Sequence, residues 1–108
     1  MTIDQTDVID FAGIDPETDG VILFISDHLE WENDDEFHMS LLRKKVDSYV
    51  RSIRSGEIYE VYPKAVGRGF LIRILAKYQL NEEAKSFFED IKSIVSNAGI
   101  KLELQLSP

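Results

Sequence analysis

The chain has 108 residues, 44% of them hydrophobic, no cysteine and a formal net charge of −8. That length fits one domain that can build a core without covalent staples, and the lack of cysteine excludes disulfides, thiolate zinc sites and cysteine nucleophiles. The charge is uneven: residues 1–42 hold twelve carboxylates and no lysine or arginine, while residues 43–108 hold twelve basic residues against eight acids, so the halves carry −12 and +4. An acidic half argues against nucleic acid and against anionic membrane surfaces, because phosphates require a basic footprint. It favours a basic protein as partner.

Residues 1–6 read as a flexible tail preceding a single domain over 7–108. The opening residues lack the basic and apolar regions of a secretory leader, and no apolar run is long enough for a bilayer. The expected location is therefore cytoplasmic. Residues 7–12, with Val8, Ile9 and Phe11, predict a first strand. Residues 13–20 carry turn chemistry: Pro16 presets one backbone angle, and Asp19-Gly20 tolerates positive φ. Residues 21–25, Val-Ile-Leu-Phe-Ile, return as the second strand of a hairpin and are apolar on both faces, which places them in the sheet interior.

A first helix begins at Asn33, with Glu36 three residues on completing a capping-box-like pair. Its expected apolar stripe is Phe37, Leu41, Leu42, Val46, Tyr49, Val50 and Ile53, at spacings of three and four. Arg43, Lys44, Asp47, Arg51 and Arg54 fall on the solvent side, and Gly56 is the left-handed cap. Residues 57–66 read as a long connection that Tyr59 and Tyr62 anchor to the core. A third strand over 70–78 alternates Phe70, Ile72, Ile74 and Ala76 with Leu71, Arg73, Leu75 and Lys77. Asn81 caps a second helix with the stripe Ala84, Phe87, Phe88, Ile91, Val95 and Ala98, closed by Gly99. A final strand starts at Ile100.

The order β-β-α-β-α-β predicts an α+β fold in two layers, a four-stranded mixed sheet with two helices on one face. Strand order is left open. The uncovered face should carry Arg73, Lys77, Lys101, Glu103 and Gln105 beside Leu71 and Leu75. A face so mixed suits a homodimer or another partner.

Chemistry concentrates in Ser26-Asp27-His28-Leu29-Glu30-Trp31. A histidine between carboxylates can act as a base, and with Glu30, Glu32 or His38 it can hold a divalent metal. The spacing matches no defined metal motif, and no nucleophile elbow is present. In the simplest reading Asp27 or Ser26 satisfies backbone groups at the strand exit and Trp31 packs over the helix start. Residues 15–20 resemble a calcium loop, but the twelfth position is Ser26 where a bidentate glutamate is required, so the stretch reads as a hairpin turn. Gly67-Arg68-Gly69 precedes a strand and not a helix, which excludes a phosphate loop.

Five carboxylates fall within seven residues at 30–36, and the helix dipole accounts for only the later ones. With Trp31 among them, Asp27, His28, Glu30, Trp31, Glu32, Asp34 and Asp35 are the candidate partner-binding residues. No catalytic residue, cofactor or metal is assigned. The leading expectation is a non-enzymatic interaction module, immunity- or adaptor-like. The alternatives are a small ligand-binding protein or enzyme centred on Asp27, His28 and Glu30, and a homodimeric scaffold.

The Ser26–Trp31 turn, together with Asp7-Val8-Ile9-Asp10, Gly13-Ile14-Asp15, Ser55-Gly56-Glu57-Ile58-Tyr59, Tyr62-Pro63 and Lys77-Tyr78, resembles a family of small bacterial proteins of unknown function. The resemblance runs from about Asp7 to Leu104. It implies a bacterial, cytoplasmic, single-domain protein and supplies no activity or catalytic residue.

Overall fold

The structure is a computed structural model and describes residues 11–31 and 35–106. Among these, four strands form one sheet in the order β1-β2-β3-β4, where β1 is Phe11–Ile14, β2 Val21–Asp27, β3 Phe70–Ala76 and β4 Lys101–Leu106. β1 pairs antiparallel to β2, with Ile14 opposite Val21; β2, β3 and β4 are parallel, with Val21 opposite Phe70 and Leu71 opposite Lys101. The helices are α1 (Asp35–Ser55), α2 (Glu57–Val61) and α3 (Glu82–Asn97). The expected α+β architecture is present, with the long helices α1 and α3 as the crossovers on one face of the sheet.

The core follows from two periodicities. Val21, Leu23 and Ile25 of β2, Ile72 and Ile74 of β3 and Leu102 of β4 alternate inward, and they meet Leu42, Val46 and Tyr49 of α1 and Phe88, Ile91 and Val95 of α3. Each such side chain removed from water contributes about 1.5–3 kcal/mol. On the other face Arg73 pairs with Glu103 across neighbouring strands, and its guanidinium lies 6.0 Å from the ring centre of Phe24. Asn81 caps α3 by accepting the Ala84 N–H at 2.8 Å. Gly56 and Gly99, after α1 and α3, have φ of 86° and 79°, a region only glycine enters freely.

Several expectations need correction. The first strand is described from Phe11, and Gly13 and Ile14, expected in the turn, pair with Ile22 and Val21. Residues 7–10, and Asn33 as helix cap, lie outside the described residues. β2 runs two residues further than expected, to Asp27, and β3 ends two residues earlier, at Ala76. The long connection after α1 holds α2 and a 3-10 turn at Pro63–Ala65, which bury Ile58 and Ala65; Tyr59 and Tyr62 pack against the core beside them. Phe37, placed in the core stripe, is 57% exposed. The rest of the expected stripe holds, with Leu42, Val46 and Tyr49 buried and Leu41, Val50 and Ile53 packed against the core, and His38 and Lys45 join the buried line.

Candidate functional site

The inward phase of β2 does not stop where the strand ends. Val21, Leu23, Ile25, Asp27 and Trp31 are all buried and Leu29 is half-buried, whereas Ser26, His28 and Glu30 are exposed. From Leu23 to Trp31, nine consecutive residues therefore alternate with period two, as an extended chain requires, whereas Ile22 before them is buried like its neighbours. α1 returns over this run with His38, Leu42, Lys45, Val46 and Tyr49 facing inward, at helical spacings of three and four. The two patterns bring Asp27 and His38 together. Both are 2% exposed, and the imidazole Nε2 donates to the carboxylate at 2.7 Å from each oxygen.

Asp27 is the hub of this junction. Its Oδ1 also accepts the Leu29 N–H at 3.2 Å, and its backbone oxygen accepts the Lys77 N–H at 2.9 Å. The carboxylate stands beside the first turn of α1, where the helix dipole favours negative charge. On the far side of the imidazole the indole of Trp31, 6% exposed, stacks with ring centres 3.6 Å apart and planes 17° from parallel. One imidazole thus holds both ends of the segment from Asp27 to Trp31. The imidazole Nδ1 and the indole Nε1 are buried, with no hydrogen-bond partner among the described residues. Seven positions along α1, Lys45 is also fully buried, its ammonium 5.4 Å from the ring centre of Tyr49, whose hydroxyl donates to the Phe24 carbonyl at 2.7 Å.

The residues singled out from sequence divide accordingly. Asp27 and Trp31 point inward and support the turn from below. His28 and Glu30 are on its outer side. Glu32 and Asp34 lie outside the described residues, and Asp35 opens α1. Asp27 thus faces away from His28 and Glu30, and the three do not converge on one point. Among the described residues no group of three or more His, Cys, Asp or Glu side chains is placed to hold a metal ion. From sequence His38 stands out only as a metal ligand, and Lys45 does not stand out. The signal was available, because positions 38, 42, 45, 46 and 49 form a helical stripe as regular as the one built on Phe37.

The acids of the first half also separate. Asp15, Glu17 and Asp19 sit in the turn before β2, and Glu30 sits after it, about 20 Å away for a strand of this length. Asp19 takes φ 64° and pairs with Arg68 at 2.9 Å, and the Asp15 carboxylate accepts the Glu17 N–H. No described helix is long and apolar enough to cross a membrane. No curated protein and no solved structure matches the chain. A family model matches residues 1–108 throughout, and the chain belongs to that family, DUF6572, a family of unknown function.

Proposed function

We propose that this protein is a non-enzymatic interaction module that binds a basic protein through the outer side of the β2–α1 junction. The observation that carries the reading is the clamp beneath that junction. Asp27, His38 and Trp31 fix the segment from inside, while His28 and Glu30 stand exposed at its surface. A surface held in one conformation before binding loses little entropy on association. The carboxylates that follow in sequence, Glu32, Asp34 and Asp35, add charge to the same stretch. The acids before β2 contribute less, because Arg68 already offsets Asp19. Acidic partners of basic proteins gain association rate from long-range attraction. An immunity-like protein that neutralises a basic toxin in the cytoplasm is the concrete form of this reading. Asp27 and Trp31 then act as supports of the surface and not as contacts.

The test is affinity capture from host lysate at low salt, read by mass spectrometry, with Glu30→Lys/Glu32→Lys as the comparison. One basic protein recovered in near-equal amount, lost at high salt and lost with the double variant, is the expected result. Recovery that ignores salt and the charge reversal overturns the reading.

A further inference from the structure

The opposite end of the parallel strands holds a feature that the junction does not explain. An open groove of about 640 Å³ runs past the starts of β2, β3 and β4. That volume is within the range of small-ligand sites. Apolar side chains at the strand starts, Ile22, Phe70 and Ile100, line it together with the hydroxyls of Thr18 and Ser96. Three cations reach it, Arg73, Lys92 and Lys101, against two carboxylates, Asp15 and Glu103. Glu103 is engaged by Arg73, and Asp15 accepts the Glu17 N–H. Lys92 and Lys101 are exposed and make no ion pair among the described residues. The groove is therefore locally positive in a chain of net charge −8. The C-terminus of α3, which would repel an anion, has carbonyls already occupied: Val95 accepts from Ala98 and Ile100, and Ser96 accepts from Gly99.

We infer that this groove is a binding site for a small organic anion with a flat apolar body, its charge set between Lys92 and Lys101. Apolar lining with a few convergent polar groups is the usual make-up of such sites. Gly69 offers a direct way to close it. The residue lines the groove, its φ is not in the positive region, and a Cβ built there meets nothing within 4 Å. A tryptophan at 69 has open space at its Cβ and is expected to obstruct the groove without straining the backbone.

The probe is 8-anilinonaphthalene-1-sulfonate, an aromatic sulfonate, titrated against the full chain and read by fluorescence. Its uncharged relative N-phenyl-1-naphthylamine reports the part played by charge. Saturable binding of one equivalent is expected, with about a tenfold loss in Gly69→Trp and in Lys92→Glu/Lys101→Glu. The neutral dye should bind more weakly than the sulfonate, and the lysine variant should narrow that gap. Circular dichroism and the thermal midpoint establish that each variant remains folded. Should Gly69→Trp fail to fold, the lysine variant decides alone, because both of its positions are exposed. Absence of saturable binding, equal binding of the neutral dye, or full binding by a folded plugged variant overturns the site.

Discussion

The two ends of the parallel strands β2, β3 and β4 are built on opposite principles. At the C-terminal end the polar groups are inside: Asp27, His38 and Trp31 are buried against one another, and the surface above them carries His28 and Glu30. At the N-terminal end the polar groups are outside, lining an open groove with Lys92, Lys101 and the Arg73–Glu103 pair. The first end uses polarity to fix a conformation and the second leaves polarity available to a ligand. A group's burial, and not its residue type, decides which role it takes, because a desolvated carboxylate is costly to separate from its hydrogen-bond partner, whereas an exposed cation stays free to exchange partners.

The largest expected effect separates the ends by stability. His38→Leu leaves the Asp27 carboxylate buried with only the Leu29 N–H as side-chain partner, and removing one member of such a pair costs about 3–5 kcal/mol. The double change Asp27→Leu/His38→Leu removes the charge with its partner and should recover most of that loss. Urea unfolding midpoints of the three proteins measure the difference. A single variant within about 1 kcal/mol of the parent would mean that the junction is not clamped from inside.

How much of this was legible in the sequence depends on how far each pattern was followed. The alternation of β2 was read from Val21 to Ile25 and not carried on to Asp27, Leu29 and Trp31. One more step of the same period places Asp27 on the helix-facing side. In α1 only the first position of the expected stripe is misplaced: Leu42, Val46 and Tyr49 are buried as expected, and their positions fit His38 at least as well as Phe37. Polar residues at core positions defeat a purely apolar pattern, since the side chain contradicts the phase that the backbone imposes. The alternating faces of β3, the caps at Asn81, Gly56 and Gly99, and the mixed open face were readable because propensity and phase agreed there. The groove had no sequence signature. It is assembled from the turn before β2, the start of β3, the end of α3 and the start of β4, which are distant in the chain.

A smaller effect tests whether strain is confined to the far end of α1. Gly56 has φ 86°, and a Cβ added there meets only the ring of Tyr59, at 3.8 Å. Gly56→Ala should therefore cost about 1 kcal/mol through backbone conformation and not through collision. At the groove, Lys92→Glu and Lys101→Glu should each shift stability by no more than about 0.5 kcal/mol, since both side chains are exposed. Thermal midpoints that follow this ranking, with a large change for His38 and almost none for the lysines, uphold the division between a clamped end and an open one.

An effect as small as that of the lysines is also the closest control for the largest. Asp47, like Asp27, is an aspartate with a side-chain partner on α1, but it lies one turn of α1 from Arg43, with the Arg43 Nε 3.3 Å from its carboxylate and both side chains about half exposed. Water solvates both members whether or not they touch, and holding two mobile side chains together opposes the attraction, so an i,i+4 pair of this kind contributes about 0.3–0.5 kcal/mol. Asp47→Asn should lower stability by no more than that, and the difference should vanish in high salt, where exposed charges are screened. The loss in His38→Leu should persist in the same salt, because a desolvated carboxylate at 2% exposure is beyond the reach of counterions. Unfolding curves of the two variants at low and high ionic strength make the comparison. If both losses faded with salt, the carboxylate of Asp27 would be in contact with solvent, and the inward clamp beneath the β2–α1 junction would have to be abandoned.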